Sequence, residues 1–267
     1  MNAKELYEAG NLTEAVTAAT DEVKRKPTDI NARAMLAEFL SFAGQLERAD
    51  KALDVISTQD PQAAVGVALF RQLIRAEQAR AQFFSEGRVP ELLSDPSAVI
   101  KAHLEASVCI RDGEPEKAAQ LLGAAEAERV HVSGTADGLA FDDFRDADDL
   151  TSAFIEVLTS TGKYYWVPME KIQEIELRKP KRPRDLLWRP AAMTVQDGPE
   201  GEVFLPTLYA GSHEADDDRV RLGRYTDWLG GEGSPVRGQG LRTFLVGEEG
   251  KTLLELEHVT FHTAGEG

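Results

Sequence analysis

Two stretches of the chain repeat at an offset of 34 residues, and that register constrains the fold more than any other feature. Gly10-Asn11-Leu12-Thr13-Glu14-Ala15 returns as Gly44-Gln45-Leu46-Glu47-Arg48-Ala49, and Pro27 returns as Pro61. Ala3, Leu6 and Ala18 return as Ala37, Leu40 and Ala52. The residue types say what the repeat builds. Glycine relieves left-handed strain where one helix ends, alanine lets the next helix pack closely, and proline stops it. Each copy is predicted to be a helix-turn-helix pair.

Thirty-four residues is the period of the tetratricopeptide repeat, a helical pair that stacks on its neighbours. A weaker copy, Gly113-Glu114-Pro115-Glu116-Lys117-Ala118, keeps the Gly-to-Ala spacing and puts Pro115 in a first helical turn. It begins 69 residues after Gly44, two periods plus one, so the segment between is expected to hold another helical pair of altered length. Residues 62–85 read as one long helix with Val65, Leu69, Leu73, Ala76, Arg80 and Phe84 along one side, broken by Gly87 and Pro90. Helices near 97–111 and 115–129 complete a tetratricopeptide-like array over residues 1–128. Cys109 falls inside an apolar helix, where a buried, inert thiol is expected. Stacked pairs leave a concave groove that suits a helix or peptide of another protein, so the array is the expected receptor for a partner.

The character changes at Val130. Gly134, Gly138 and the string Asp137, Asp142, Asp143, Asp146, Asp148 and Asp149 replace the alanine-rich periodicity, and residues 129–149 read as an acidic linker running into a helix start. Phe141, Phe144 and Ala147 interrupt the ligand order that a calcium loop requires. From residue 150 the periods shorten to two. Phe154-Ile155-Glu156-Val157-Leu158-Thr159 and Lys163-Tyr164-Tyr165-Trp166-Val167-Pro168 flank Ser160-Thr161-Gly162 as a hairpin. Further strands are predicted at 172–177, 191–196, 203–208, 243–246 and 252–258. The fold class is thus α+β: helical repeats, then a small, mostly antiparallel β domain over 150–267, barrel- or sandwich-like.

Composition narrows the function. With 46 acidic and 30 basic residues the formal charge is −16, spread over both halves, which opposes nucleic acid and anionic lipid surfaces. The lone cysteine excludes a disulfide framework or a cysteine-based zinc cluster and suits a reducing compartment. No signal peptide or membrane span is legible, so a cytoplasmic protein is expected. Gly250-Lys251-Thr252 resembles the tail of a phosphate-binding loop, but Leu245 stands where its first glycine belongs, and Gly247-Glu248-Glu249-Gly250 reads as a hairpin turn. His258 and His262 sit in a strand pattern, where four steps separate them by about 13 Å, too far for one metal ion. No catalytic set, cofactor motif or metal site emerges.

Two segments stand out. Arg178-Lys179-Pro180-Lys181-Arg182-Pro183-Arg184 packs five cations into seven residues and reads as a solvated loop or a docking patch for an acidic partner. Leu222-Gly223-Arg224-Tyr225-Thr226-Asp227-Trp228 offers an Arg224–Asp227 pair, with Trp166, Trp188 and Trp228 expected to cluster in the β core.

Five ordered motifs carry a resemblance. Phe144-Arg145-Asp146-Ala147-Asp148-Asp149, Tyr164-Tyr165-Trp166-Val167-Pro168, Arg182-Pro183-Arg184-Asp185-Leu186-Leu187-Trp188-Arg189, Leu208-Tyr209-Ala210-Gly211-Ser212 and the segment 222–228 resemble the ImpE/TagJ family of type VI secretion accessory proteins. The resemblance implies a non-enzymatic adaptor that binds TssB, the small subunit of the contractile sheath, and is linked through it to the AAA+ unfoldase ClpV. It carries over no catalytic residue and no cofactor. Arg145, Asp146, Trp166, Arg184, Asp185, Trp188, Arg189, Arg224, Asp227 and Trp228 are the motif positions expected either to dock a partner or to maintain the fold. The competing reading is a hydrolase-like enzyme with a carboxylate-based site in the β half.

Overall fold

The computed structural model describes residues 1–262. Helix α1 (Ala3–Glu8) opens on a capping box in which the Asn2 side chain accepts from the Glu5 amide and the Glu5 carboxylate accepts from the Asn2 amide. The chain turns at Gly10 into α2 (Leu12–Arg25), and the pair recurs as α3 (Ile30–Phe42) and α4 (Leu46–Gln59) around Gly44. Gly10 and Gly44 take φ values of +91° and +70°, the left-handed conformation their type permits. Ala15 and Ala49, five residues after each glycine, are completely buried where helices meet. The 34-residue register is therefore the spacing of two superimposable turns.

The next segment departs from the repeat. In place of an altered pair there is one 23-residue helix, α5 (Ala64–Glu86), ended by Gly87 in the left-handed conformation and followed by a two-residue strand, β1 (Glu91–Leu92). The last pair, α6 (Ala98–Arg111) and α7 (Pro115–Glu128), turns at Gly113. Helix α5 buries more than one stripe. Leu73, Ala76 and Arg80 are buried as expected, but Val65 is 84% exposed, and Phe70, Ile74, Ala79 and Phe83 are buried as well. The helix is sandwiched between its helical neighbours and a sheet, so a single-face periodicity understates its burial. Cys109 is buried. No helix of the described residues is long and apolar enough to cross a membrane.

Strands β2 (Gly134–Ala136), β3 (Leu139–Phe141), β4 (Phe144–Asp146), β5 (Phe154–Leu158), β6 (Tyr164–Pro168), β7 (Ile172–Leu177), β8 (Trp188–Val195) and β9 (Glu200–Pro206) come first. After the short helix α8 (Asp218–Arg221) come β10 (Thr226–Gly231), β11 (Ser234–Gly240), β12 (Thr243–Val246), β13 (Glu249–Thr252) and β14 (His258–Phe261). Nine of them form one open sheet in the order β1-β6-β5-β9-β8-β7-β14-β2-β3. Every pairing in it is antiparallel except β1 on β6. Strands β13, β12 and β4 make a small second sheet, and β10 and β11 a separate ribbon.

Three expectations change. The β region is an open sheet with side ribbons in place of a closed barrel, because its two edges, β1 and β3, lie at opposite ends of the strand order. Residues 129–149 do not form a bare linker, for they carry β2, β3 and β4, which pair with β14 and β12. The strand expected over 252–258 is split. Glu255 accepts from the Thr252 amide at 2.8 Å and folds the chain back, while Leu253 and Leu256 plug the core. The hairpin at Gly247 is present, tightened to a two-residue turn between the paired Val246 and Glu249.

Both faces of the large sheet are covered. Strand β5 sends Phe154, Glu156 and Leu158 toward the helices and Ile155 and Val157 to the other side, where Phe144, Ile175, Met193, Val259 and Phe261 pack. On the helix side Phe154, Trp166, Trp188 and Phe204 belong to the same apolar cluster as Phe39, Phe70 and Phe83. Helical array and sheet thus share one core.

Candidate functional site

The shared core holds a line of buried charges. Arg80, on the sheet-facing side of α5, donates Nε and Nη2 to the two carboxylate oxygens of Glu156, each at 2.9 Å, and Nη1 to Glu77 at 3.0 Å. Arg242 follows β11 and donates to the other side of Glu156 and, at 2.6 Å, to Asp146. Signs therefore alternate along Glu77, Arg80, Glu156, Arg242 and Asp146. Aromatic groups complete the shell: Tyr164 Oη donates to Glu156, Trp166 Nε1 to Tyr164 Oη, Trp188 Nε1 to Glu77, and Tyr209 Oη to Asp146. Asp146 also accepts from Thr151 Oγ1 and the Asp148 amide. All three carboxylates of this line, Glu77, Glu156 and Asp146, are hydrogen-bonded, as burial of charge demands.

Burial works against ionisation of both central carboxyls, with different outcomes. At Glu156 it is overcome by Arg80 and Arg242, which hold the carboxyl down at about 2. At Asp146 burial prevails over Arg242 and pushes the carboxyl up to about 6. The two groups give stability opposite slopes. Glu156 binds fewer protons folded than unfolded, so its contribution is whole above about pH 4.5 and is lost as pH falls toward 2. Asp146 binds more protons folded, so its contribution is present below about pH 3.8 and declines as pH rises through 6. Urea midpoints measured from pH 3 to pH 8 should fall steeply on the acid side, and Asp146→Asn should flatten the decline between about pH 4 and 6. An unchanged slope in that variant would contradict the assignment.

Above the charges lies a cleft of about 500 Å³ between the Gly44 turn, helices α5 and α6, and the loop 208–214. Arg80 and Tyr209 reach its floor, His213 sits over Gly44 at its mouth, and neither Asp146 nor Glu156 lines it. Among the described residues no three His, Cys, Asp or Glu side chains gather as a metal-holding group.

Comparison with known proteins agrees with this two-part architecture. The family described as ImpE protein matches residues 138–260, and the tetratricopeptide repeat matches residues 6–73. A relative from Pseudomonas aeruginosa, the type VI secretion system accessory component TagJ, is 32% identical over 98% of this chain and 91% of its own length. The chain belongs to the ImpE/TagJ family. A crystal structure of protein VPA1032 from Vibrio parahaemolyticus, 27% identical, superposes with a TM-score of 0.91 over 98% of this chain and 97% of that one.

The ImpE/TagJ motif residues are mostly engaged inside the molecule. Arg145 spans from Glu126 of α7, at 3.1 Å, to Asp149, at 3.3 Å. Asp146 closes the line of charges, and its neighbour Asp148 accepts from Arg237 Nε and the Gly238 amide, pinning β11. Trp166 stacks on Phe154 at 3.7 Å, and Trp188 meets Phe70 edge-on at 5.9 Å. Arg189 is buried and donates to the carbonyls of Arg178 and Leu253. Asp185 accepts from the amides of Lys181 and Arg182, so the basic loop is a structured turn. Arg184 lies over the Phe70 ring at 4.8 Å and beside Glu38, whose carboxyl burial pushes up to about 7.

The expected Arg224–Asp227 pair does not form. Arg224 reaches across to the carbonyls of Tyr7 and Glu8 and caps the end of α1, while Asp227 accepts from the Trp228 amide. The three tryptophans do not cluster either. Trp228 stays 42% exposed on β10, touching only Tyr209 among aromatic rings, because the ribbon packs through β11 and β10 is its outer, exposed strand. Sequence reasoning missed Glu156, Arg242, Tyr209 and Arg237 as partners. The available signals were a cation, Arg80, on an apolar helix stripe and a carboxylate, Glu156, inside an apolar strand.

Proposed function

We propose that this protein is a non-enzymatic, cytoplasmic accessory component of a bacterial type VI secretion system, binding the small sheath subunit TssB and linked through it to ClpV. The observation that carries the reading is its similarity to the accessory component TagJ along nearly the whole of both chains. The structure supports an adaptor over a carboxylate hydrolase. Two of its perturbed carboxyls, Asp146 and Glu156, are sealed beneath the cleft and saturated with internal donors, whereas a general acid or base needs access to substrate.

The helical array remains the preferred receptor. A groove of about 320 Å³ between α3, α4 and α5 has Ile30, Ala34, Ile56 and Ala63 on its walls and Arg182 and Arg184 on its rim, a shape for an amphipathic helix. Gly66 lines it, and a Cβ added there meets nothing within 4 Å, so Gly66→Trp puts an indole at the groove without a clash at its Cβ. Calorimetry of the full chain with purified TssB should show binding that Gly66→Trp weakens at least about tenfold, roughly 1.4 kcal/mol. Loss on Trp228→Ala with Gly66→Trp unaffected would move the receptor to the β10–β11 ribbon. Absence of any binding by the wild type would refute the TssB reading.

A further inference from the structure

The 500 Å³ cleft above the charge line carries one cation that the fold does not neutralise, Arg111, and a second, Arg237, that is paired through Nε alone. Arg111 of α6 donates Nη1 to the Phe83 carbonyl at 3.1 Å and to Ser107 Oγ at 3.3 Å, and among the described residues no carboxylate lies within 4.0 Å of it. Arg237 spends Nε on Asp148, leaving both terminal amino groups without a protein acceptor among the described residues. Arg80, beneath them, is wholly engaged by Glu156, Glu77 and the Leu208 carbonyl. Arg111 is thus left with an unneutralised charge inside a concave site.

Their placement is also confined. Arg111 lies over the Phe83 ring at 5.9 Å and Arg237 over the Phe84 ring at 5.7 Å, and the two rings touch edge to face at 4.8 Å. Both guanidiniums thus lie against one aromatic pair, and a carboxylate between them meets the bare charge of Arg111 and the free terminal N–H groups of Arg237. The carboxylates on the cleft wall do not supply it. Glu77 is held by Arg80 and Trp188, and Glu214 stands exposed at the mouth, 3.8 Å from His213. Half-buried Leu46 and Ile110 add apolar wall, and Ala210 and Gly211 keep the opposite side open.

We propose that this cleft binds a carboxylate-bearing ligand, with the Arg111 and Arg237 guanidiniums gripping the carboxylate and the Leu46–Ile110 side receiving a short apolar group. The planar guanidinium fork matches a carboxylate, and a cleft of this volume suits a small organic acid or one acidic side chain of a peptide. The site is independent of TssB, so a chain that binds TssB and neither probe below refutes the cleft alone.

The test uses the full chain and two probes, citrate and the peptide acetyl-Leu-Glu-Glu-Leu-amide, titrated calorimetrically at low salt. Arg111→Gln removes the unneutralised cation, and Ala210→Trp places an indole in the cleft from the loop 208–214. Either probe should bind once per chain, more weakly as sodium chloride rises, and both variants should weaken it at least tenfold while their melting temperatures stay within a few degrees of wild type. Binding by the peptide alone identifies an acidic protein segment as the ligand, and binding by citrate alone a free organic acid. Absence of saturable binding by both probes, or wild-type affinity in both variants, overturns the proposal.

Discussion

Glu156→Leu should lower the free energy of unfolding by about 3–5 kcal/mol, the cost of removing one partner from a buried ion pair. Glu156 is the centre of the line: without it Arg80 and Arg242 face each other in a space closed by Trp166, Phe154 and Tyr164, with the Tyr164 hydroxyl left without an acceptor. The neighbouring acids, Glu77 and Asp146, already serve their own donors and cannot move in to compensate. Because the contacts are shared, adding Arg80→Met to Glu156→Leu should cost less than the sum of the two single changes. Urea denaturation measures both quantities. A loss below about 1 kcal/mol for Glu156→Leu would show the charges to be solvated, against the geometry described.

A second large effect is expected from separating the halves. Fragments 1–128 and 150–267, the division that the sequence suggests, should each fail to unfold cooperatively in urea. The first loses the sheet that covers Phe70 and Phe83 and the second loses α5 from over Trp166 and Trp188. Each large aromatic stripped of its packing forfeits about 3–5 kcal/mol, so the two that each fragment uncovers cost about 6–10 kcal/mol, comparable to the 5–15 kcal/mol that holds a typical domain together. The second fragment also lacks β2, β3 and β4, with Asp146 among them. Mixing 1–128 with 129–267 should restore a single cooperative transition. Sharp independent transitions in the isolated fragments would show two autonomous domains.

What could be read from the chain alone follows from the range of the interactions. The helical pairs were legible because glycine, alanine and proline act within a few residues, and Gly10 and Gly44 lie where their spacing places them. The β5–β6 hairpin was legible for the same reason. The partners of Glu156 were not, since Arg80 lies 76 residues before it and Arg242 lies 86 after it. Acidity in 129–149 suggested solvent exposure, yet Asp146 and Asp148 are buried, their charges answered by Arg242 and Arg237 from far along the chain. The aromatic residues misled in the opposite sense. Trp228 carries the same chemistry as Trp166 and Trp188, and only topology decides that it falls on the outer strand of its ribbon.

The position of β14 sets the order in which such a chain can assemble. This last described strand lies between β7 and β2, so β2 and β3, made more than a hundred residues earlier, cannot join the large sheet until His258–Phe261 has left the ribosome. The helices emerge first, with Phe70 and Phe83 turned toward a surface that does not yet exist. At synthesis rates of about 5–20 residues per second, those side chains wait on the order of ten seconds or more for their cover. Completion of the large sheet therefore waits for β14, and the interval before it is when the nascent chain depends most on holdase chaperones.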